Sequence, residues 1–360
     1  MSERVYNFNP GPATLPLPVL EKIKSELLDY NGTGMSILET SHRSPEFKKV
    51  HEETKALVKS VAGLSDDYHV LFAGGGASMQ FAMIPLNFLK DGKSADYVNT
   101  GAWSKKAIKE AKIVGNVNVA ATSEDKNFSY IPKNLNRDLN ACYLHITSNN
   151  TIFGTQWHEL PDSGNVPLIC DMSSDIFSRT LPFEKFSMIY AGAQKNLGPA
   201  GVTLIILHKD FAATAKEGLN TMLSYGTFIE KDSMFNTPPT FAIYTVKLVL
   251  EWIKDQGGLT AIEKINDQKQ KLLYETIDNS NGYYKGATEK DSRSWMNATL
   301  RMRDEDLEKK FIAEAKANGL VGLKGHRSVG GIRVSMYNAL PLAGIQKLVG
   351  FMDDFRKANA

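Results

Sequence analysis

Lys195 has the most specific setting for chemistry in the chain. It lies in Met188-Ile-Tyr-Ala-Gly-Ala-Gln-Lys195-Asn-Leu-Gly-Pro-Ala-Gly201. An apolar run ends there and Gly192 opens a turn. Gly198, Pro199 and Gly201 then keep the chain out of regular structure before a second apolar run, Val202 to Leu207. Strand, turn, glycine-rich bend and strand present one amine in a cleft. A Schiff-base lysine needs a partly desolvated site, which lowers its pKa, and a rigid backbone to aim it. A loop lysine taken alone is ordinarily a solvated one. The stretch Pro167-Leu-Ile-Cys-Asp171-Met-Ser-Ser174 shifts that balance, because an apolar run ends on Asp171, where an α/β sheet puts its ligand-facing residues. A strand-end carboxylate followed by a strand-turn lysine is the pair pyridoxal phosphate requires. The carboxylate keeps the pyridinium nitrogen protonated and the lysine forms the Schiff base.

Other stretches add to this pair. Gly74-Gly-Gly-Ala77-Ser78 follows an apolar run and opens a helical one. Such a turn leaves N–H groups free for a phosphate, or is simply tight. It is not a Walker A and does not fit a dinucleotide fingerprint. Trp103, in Asn99-Thr-Gly-Ala-Trp-Ser104, is placed either to stack on a planar ring or to fill a core. Thr151 follows another apolar run in an Asn-rich turn, and Gln194 adjoins Lys195. The cations are His42-Arg43, His326-Arg327 and Arg333. Arginine reads carboxylate and phosphate bidentately. Arg333 lies inside the apolar run Gly331-Ile-Arg-Val-Ser335, where an unpaired guanidinium is costly.

The elements that must position these residues begin with a proline-rich extended arm, Tyr6 to Leu17. Helices are predicted at about 18–30 and 45–62, the second with Ser44 as cap and Pro45 at its first position. Apolar runs at 69–73, 96–99, 117–121, 141–147, 168–172, 188–191 and 202–207 then alternate with helices, clearest at 78–89 and 103–114. Alternation of this kind implies a mainly parallel sheet covered by helices. A loop at 225–239 leads to a helix over 241–256. The remainder reads α+β, with helices at 260–280, 304–318 and 340–358 and strands at 296–302 and 332–336. The expected division is an arm over 1–15, a large α/β domain over 16–256 with a seven-stranded sheet, and a smaller α+β C-terminal domain over 257–360.

Three hundred and sixty residues suffice for two domains. Forty-two basic against 40 acidic residues give +2, no electrostatic case for nucleic acid or an anionic membrane. No apolar run approaches a membrane span, and the first residues show no apolar signal core, so a cytoplasmic protein is expected. Cys142 and Cys170 each sit in an apolar run that reads as a buried strand, fitting structural thiols. No metal ligand set is expected.

The stretch Ala191-Gly-Ala-Gln-Lys195-Asn-Leu-Gly-Pro-Ala-Gly201, with Asn7-Phe-Asn-Pro-Gly-Pro-Ala13 and Ser41-His-Arg43-Ser, resembles the phosphoserine aminotransferases. These are class V aminotransferases of the aspartate-aminotransferase-like fold type. The resemblance covers essentially the whole chain and rests on long motifs. It implies pyridoxal phosphate on Lys195 and transfer of an amino group from glutamate to 3-phosphohydroxypyruvate. The products are 3-phosphoserine and 2-oxoglutarate, in serine biosynthesis. A phosphorylated 2-oxo acid of vitamin B6 synthesis is a further candidate substrate. The resemblance implies that Ala77 and Ser78 hold the cofactor phosphate, although some members carry an arginine in this turn and this chain does not. It implies that Trp103 stacks on the pyridine ring and that Thr151 reaches the phenolate oxygen or the phosphate region. Gln194 is implied at the phosphate, and Asn236 and Thr237 at the phosphate of the partner subunit, hence a homodimer with shared active sites. Arg333 would take the α-carboxylate. His42, Arg43, His326 and Arg327 would face the phosphate or γ-carboxylate end, from one subunit or two. A desulfurase would need a mobile nucleophilic cysteine, for which neither thiol is placed. A non-catalytic regulator on the same fold would have no use for Lys195.

Overall fold

Seven apolar runs become the strands of one sheet. The computed structural model describes residues 4–359. The strands are β1 (Tyr68–Ala73), β2 (Ser94–Asn99), β3 (Asn116–Thr122), β4 (Leu144–Thr147), β5 (Leu168–Asp171), β6 (Met188–Gly192) and β7 (Thr203–His208). Their order is β1-β7-β6-β5-β4-β2-β3. Every pair is parallel except those of β7, which is antiparallel to both neighbours. Central strands are buried along their whole length, as parallel strands covered on both faces must be.

The two-residue alternation of a strand divides the side chains between two cores. Helix α1 spans Leu17–Glu26. Leu168 and Cys170 pack with Phe47 and Val50 of α2 (Pro45–Ala62) and Ile243 and Leu250 of the helix Thr240–Asp255. Ile169 joins Phe81 and Ile84 of α3 (Gly76–Phe88) and Ala107 of α4 (Ala102–Val114) on the opposite face. Helix α2 starts as its sequence dictates, with the Ser44 hydroxyl accepting from the Phe47 N–H and Pro45 in the first turn.

The C-terminal part is α+β. An antiparallel sheet of Lys285–Gly286, β8 (Asn297–Arg301) and β9 (Ile332–Ser335) packs with side chains of the helices Gly258–Asp278, Glu305–Ala317 and Leu342–Ala358. The N-terminal arm joins this layer. Its strand Tyr6–Asn7 pairs in parallel with Leu320–Val321, and Phe8 is buried in the same core.

Three expectations need correcting. The segment 225–239, expected as a loop, opens with a helix over Tyr225–Glu230 that buries the rings of Tyr225 and Phe228. The first helix ends at Glu26, short of residue 30, and Leu28 is 85% exposed. There the Asp29 carboxylate captures the Gly34 N–H at 2.8 Å and Asn31 and Gly32 turn left-handed, a local alternative to continuing the helix. Cys142 lies outside a strand, because β4 opens only at Leu144, and the thiol is half-buried and accepts from the Lys90 N–H at 3.5 Å. No helix among the described residues is long and apolar enough to cross a membrane.

Candidate active site

The carboxyl-terminal ends of β1, β2, β4, β5 and β6 share one edge of the sheet. Strand β1 is included because it runs antiparallel to β7, itself antiparallel to β6. The turns leaving this edge carry Gly74–Ser78, Trp103, Thr151, Asp171 and Lys195, at the place where open α/β sheets bind ligands.

Asp171 closes β5 and is 5% exposed. Its Oδ1 accepts the Ser173 N–H at 2.9 Å and the Ser173 hydroxyl at 2.7 Å. The same hydroxyl oxygen accepts the Gly192 N–H at 3.0 Å, at the end of β6. Asp171 Oδ2 takes no hydrogen bond among the described residues. Lys195 follows three residues after Gly192 in a turn held by Ala193 N–H to Val202 O (3.0 Å) and Gly198 N–H to Ala193 O (2.7 Å). The arm crosses this turn, Ala13 N–H donating to Gln194 O at 2.9 Å. Asn196 fastens it from behind, donating to Ile176 O at 2.6 Å and accepting the Asn338 N–H at 2.9 Å.

The Lys195 amine lies 5.0 Å from the centroid of the Trp103 indole and makes no hydrogen bond or ion pair among the described residues. Burial lowers its pKa; Asp171 opposes the shift and Arg333 reinforces it. Trp103 is held in place by its turn. The Ser104 hydroxyl accepts the Thr100 and Gly101 N–H groups at 2.9 Å each. Gly101 must be glycine, because a Cβ there would stand 2.8 Å from Asn150 Oδ1. The Trp103 indole N–H donates to Thr151 Oγ1 at 3.2 Å, and Thr151 O accepts from Arg333 Nη1 at 2.9 Å. Arg333, on β9, is 7% exposed. No carboxylate pairs with it among the described residues, and its Nε is buried without a partner. Burial pulls its pKa down, though a guanidinium remains charged.

Lys195, Asp171, Trp103, Thr151 and Arg333 are therefore one group, with an anion and two cations holding unused bonding capacity beside an aromatic face. That donor set fits pyridoxal phosphate: an acceptor for a ring N–H, an amine, an aromatic face, a hydroxyl and a guanidinium. Ala77 and Ser78 stand in the first turn of α3, whose cap Gly75 is left-handed (φ 78) and whose first N–H groups lack a side-chain cap. Gln194 is half-buried against Gly192.

The remaining predicted residues lie further out. Half-buried His326 and exposed Arg327 precede β9; His326 has its pKa lowered by burial, then by Arg333, Arg327 and Lys106. His326 Nδ1 pairs with the Ser328 hydroxyl at 2.7 Å. His42 and Arg43, before α2, have no hydrogen bond or ion pair to the Lys195 group among the described residues. Asn236 and Thr237 are exposed. Their loop is anchored by Lys55 Nζ to Asp232 (2.8 and 3.0 Å) and by the Phe72 N–H to Ser233 Oγ (2.9 Å). Asn236 shares a cavity of about 220 Å³ with Gly74 and Gly75 of its own chain.

Reading by motif passed over Ser173, although it stands in the Asp171-Met-Ser-Ser174 run. It also missed Asp175, fully buried and bonded by the Ser148 hydroxyl and by Gln156 Nε2 at 3.0 Å. It missed the buried His145–Tyr190 pair at 2.9 Å, for which a strand histidine is no signal.

Fold and site together define a pyridoxal-phosphate enzyme, and the chain belongs to the class V aminotransferases, whose family model matches residues 5–348. Within that family it is 57% identical to the phosphoserine aminotransferase of Desulfosudis oleivorans, with 100% of each chain covered. A solved phosphoserine aminotransferase from Bacillus circulans subsp. alkalophilus is 51% identical and superposes with a TM-score of 0.98 over 100% of both chains. The phosphoserine aminotransferase of Trichomonas vaginalis, solved with pyridoxal phosphate bound, is 36% identical with a TM-score of 0.92, covering 97% of this chain and 100% of that one.

Proposed function

We infer that this chain is a phosphoserine aminotransferase, exchanging an amino group between glutamate and 3-phosphohydroxypyruvate to give 3-phosphoserine and 2-oxoglutarate. The observation that carries the reading is the convergence of Lys195, Asp171 and the unpaired Arg333 at one sheet edge. Lys195, Asp171, Trp103, Thr151, Gln194, Ala77 and Ser78 would hold pyridoxal phosphate, which when bound supplies an electron sink that acidifies the substrate Cα. The Lys195 amine, its pKa lowered by burial, would take the Cα proton of the amino donor and, in the reverse half-reaction, give a proton to the Cα of the new amino acid. Asp171 would keep a proton on the ring nitrogen. Arg333 receives the α-carboxylate common to both amino donors and fixes the side from which Cα faces Lys195.

His326 and Arg327, with His42 and Arg43, would neutralise the phosphate dianion or the γ-carboxylate. We propose that two copies complete the site. His42, Arg43, Asn236 and Thr237 are unengaged by the Lys195 group of their own chain, and exposed Met79, Met222 and Phe235 flank the loop that carries Asn236. A second copy covering those apolar side chains would bring the loop to its partner's cofactor phosphate. The proposed division is an arm over 1–15, a cofactor domain over 16–256 and a small domain over 257–360. A cytoplasmic location is proposed with it, in keeping with two free thiols.

The test is kcat/KM for 3-phosphoserine and for serine in the parent, Arg43→Ala and Arg327→Ala. A charge-assisted contact to phosphate is worth about 1.5–3 kcal/mol, so each variant should lose roughly tenfold to a hundredfold on 3-phosphoserine and much less on serine. Equal losses on both donors would remove these arginines from phosphate recognition. The phosphorylated 2-oxo acid of vitamin B6 synthesis is to be tested as an amino acceptor beside 3-phosphohydroxypyruvate, with glutamate as the donor.

A further inference from the structure

We propose that Ser173 is a positioning residue for the cofactor. Its single hydroxyl fixes the Asp171 carboxylate and couples it to the turn that carries Lys195. The proposal rests on the reading that Asp171 faces the ring nitrogen. A carboxylate rotates easily about its last bond, so a strand-end Asp needs partners to aim it. Here both partners come from one residue. The Ser173 N–H and O–H both donate to Oδ1, at 2.9 and 2.7 Å. One oxygen is thereby doubly occupied and the other left as the acceptor for the cofactor.

The hydroxyl does a second thing. Its oxygen accepts the Gly192 N–H at 3.0 Å, and Gly192 ends the strand from which the Lys195 turn departs. A hydroxyl that accepts on one side and donates on the other makes a directional chain, Gly192 N–H to Ser173 O–H to Asp171 Oδ1. Ser173 is 3% exposed, so water has little access to replace it. The two groups that must meet opposite ends of the cofactor, one at the ring nitrogen and one at the aldehyde carbon, are thus registered through one oxygen atom. Asp171 and Lys195 share no direct hydrogen bond among the described residues, so this bridge is what relates them locally.

Ser173→Ala removes the bridge and keeps the backbone N–H on Oδ1. Outer partners of ligating groups typically matter by 10- to 100-fold, and with one of two bonds retained the loss should be about tenfold. The measurements are the dissociation constant of pyridoxal phosphate from its quenching of protein fluorescence, the unfolding temperature of the cofactor-free protein, and kcat and KM with glutamate. Ser173→Ala should unfold within a few degrees of the parent, the small drop reflecting the orphaned Gly192 N–H, bind pyridoxal phosphate about tenfold more weakly, and lose kcat with KM for glutamate held. Ser173→Thr, which keeps the hydroxyl, should restore both. Parent-like cofactor affinity in Ser173→Ala would overturn the proposal. So would a loss of affinity that follows a lowered unfolding temperature and is not restored by threonine, which would make Ser173 a packing residue only. If the alanine variant does not fold, Ser173→Cys, a weak donor of similar size, carries the same comparison. Because cofactor binding is read without any amino substrate, a parent that binds pyridoxal phosphate yet ignores 3-phosphoserine would unseat the substrate reading and leave this test intact.

Discussion

Replacing Arg333 by methionine should harm catalysis and spare the fold. Arg333 is 7% exposed, and its guanidinium donates to Thr151 O and has no carboxylate partner among the described residues. Removing it costs the cofactor-free protein one charge-assisted hydrogen bond to a carbonyl, about 1.5–3 kcal/mol. Against that, an uncompensated buried charge disappears, and apolar replacement of buried ionic groups is often neutral or stabilising by about 1–4 kcal/mol. The net effect on unfolding is near zero. In the enzyme with its substrate the balance reverses. A forked contact to the α-carboxylate is two charge-assisted bonds of about 1.5–3 kcal/mol each, or roughly a hundredfold to ten-thousandfold in kcat/KM. The loss should be alike for glutamate and 3-phosphoserine, which share that carboxylate. Urea denaturation of the cofactor-free protein and steady-state kinetics on both donors are the assays. A variant destabilised by more than about 2 kcal/mol, with kcat/KM down less than tenfold, would show that Arg333 serves the fold and that the unpaired charge is not a binding device.

Three further outcomes are expected. Lys195→Ala should lose transamination by several orders of magnitude, and activity within about tenfold of the parent would sink its assignment. Asp171→Ala should still join the cofactor to Lys195 but lose most of its single-turnover rate of proton transfer from Cα; an unchanged rate would make Asp171 structural. Lys269 is fully buried and donates to the carbonyls of Met336, Tyr337 and Leu340 at 3.0, 2.8 and 3.1 Å, with its pKa pulled by burial to about 7. Above that pH the unfolded chain still binds the proton that the folded one has released, so stability should rise with pH. Relative to Lys269→Met, the rise from pH 7 to about 10 should be at most about 1.4 kcal/mol per unit in urea titrations, and a flat difference would refute it.

Much of this was legible from composition and period. Seven apolar runs of strand length, separated by helical periods, leave little choice but a covered parallel sheet. Asp171 and Lys195 were visible because each ends an apolar run, and Trp103 because a large aromatic opens a helix. What escaped was whatever depends on meeting across the sheet. Ser173 means nothing until β6 lies beside β5 and brings Gly192 to its hydroxyl. The Asn196–Asn338 contact joins residues far apart in the chain, and asparagine in a loop has many unremarkable uses. The end of the first helix escaped too, because Leu27 and Leu28 carry the right period while Asp29 and Gly32 carry the stronger turn chemistry.

The pairing of Tyr6–Asn7 with Leu320–Val321 also bears on how the chain is made. The arm leaves the ribosome long before its partner strand, which emerges only after the helix Glu305–Ala317. Strand β1 waits in the same way at the sheet edge until β7 has been synthesised. Until β7 emerges, then, the nascent chain carries two unpaired strands, and Phe8 stays uncovered for most of the synthesis; this is the kind of surface that chaperones engage and that makes long-range topologies slow to complete. A chain halted after the helix Thr240–Asp255 would own every strand of the large sheet, yet the arm that crosses the Lys195 turn would have lost the far end of its mooring. Lys195 is read out midway through translation, and its turn is secured only near the end.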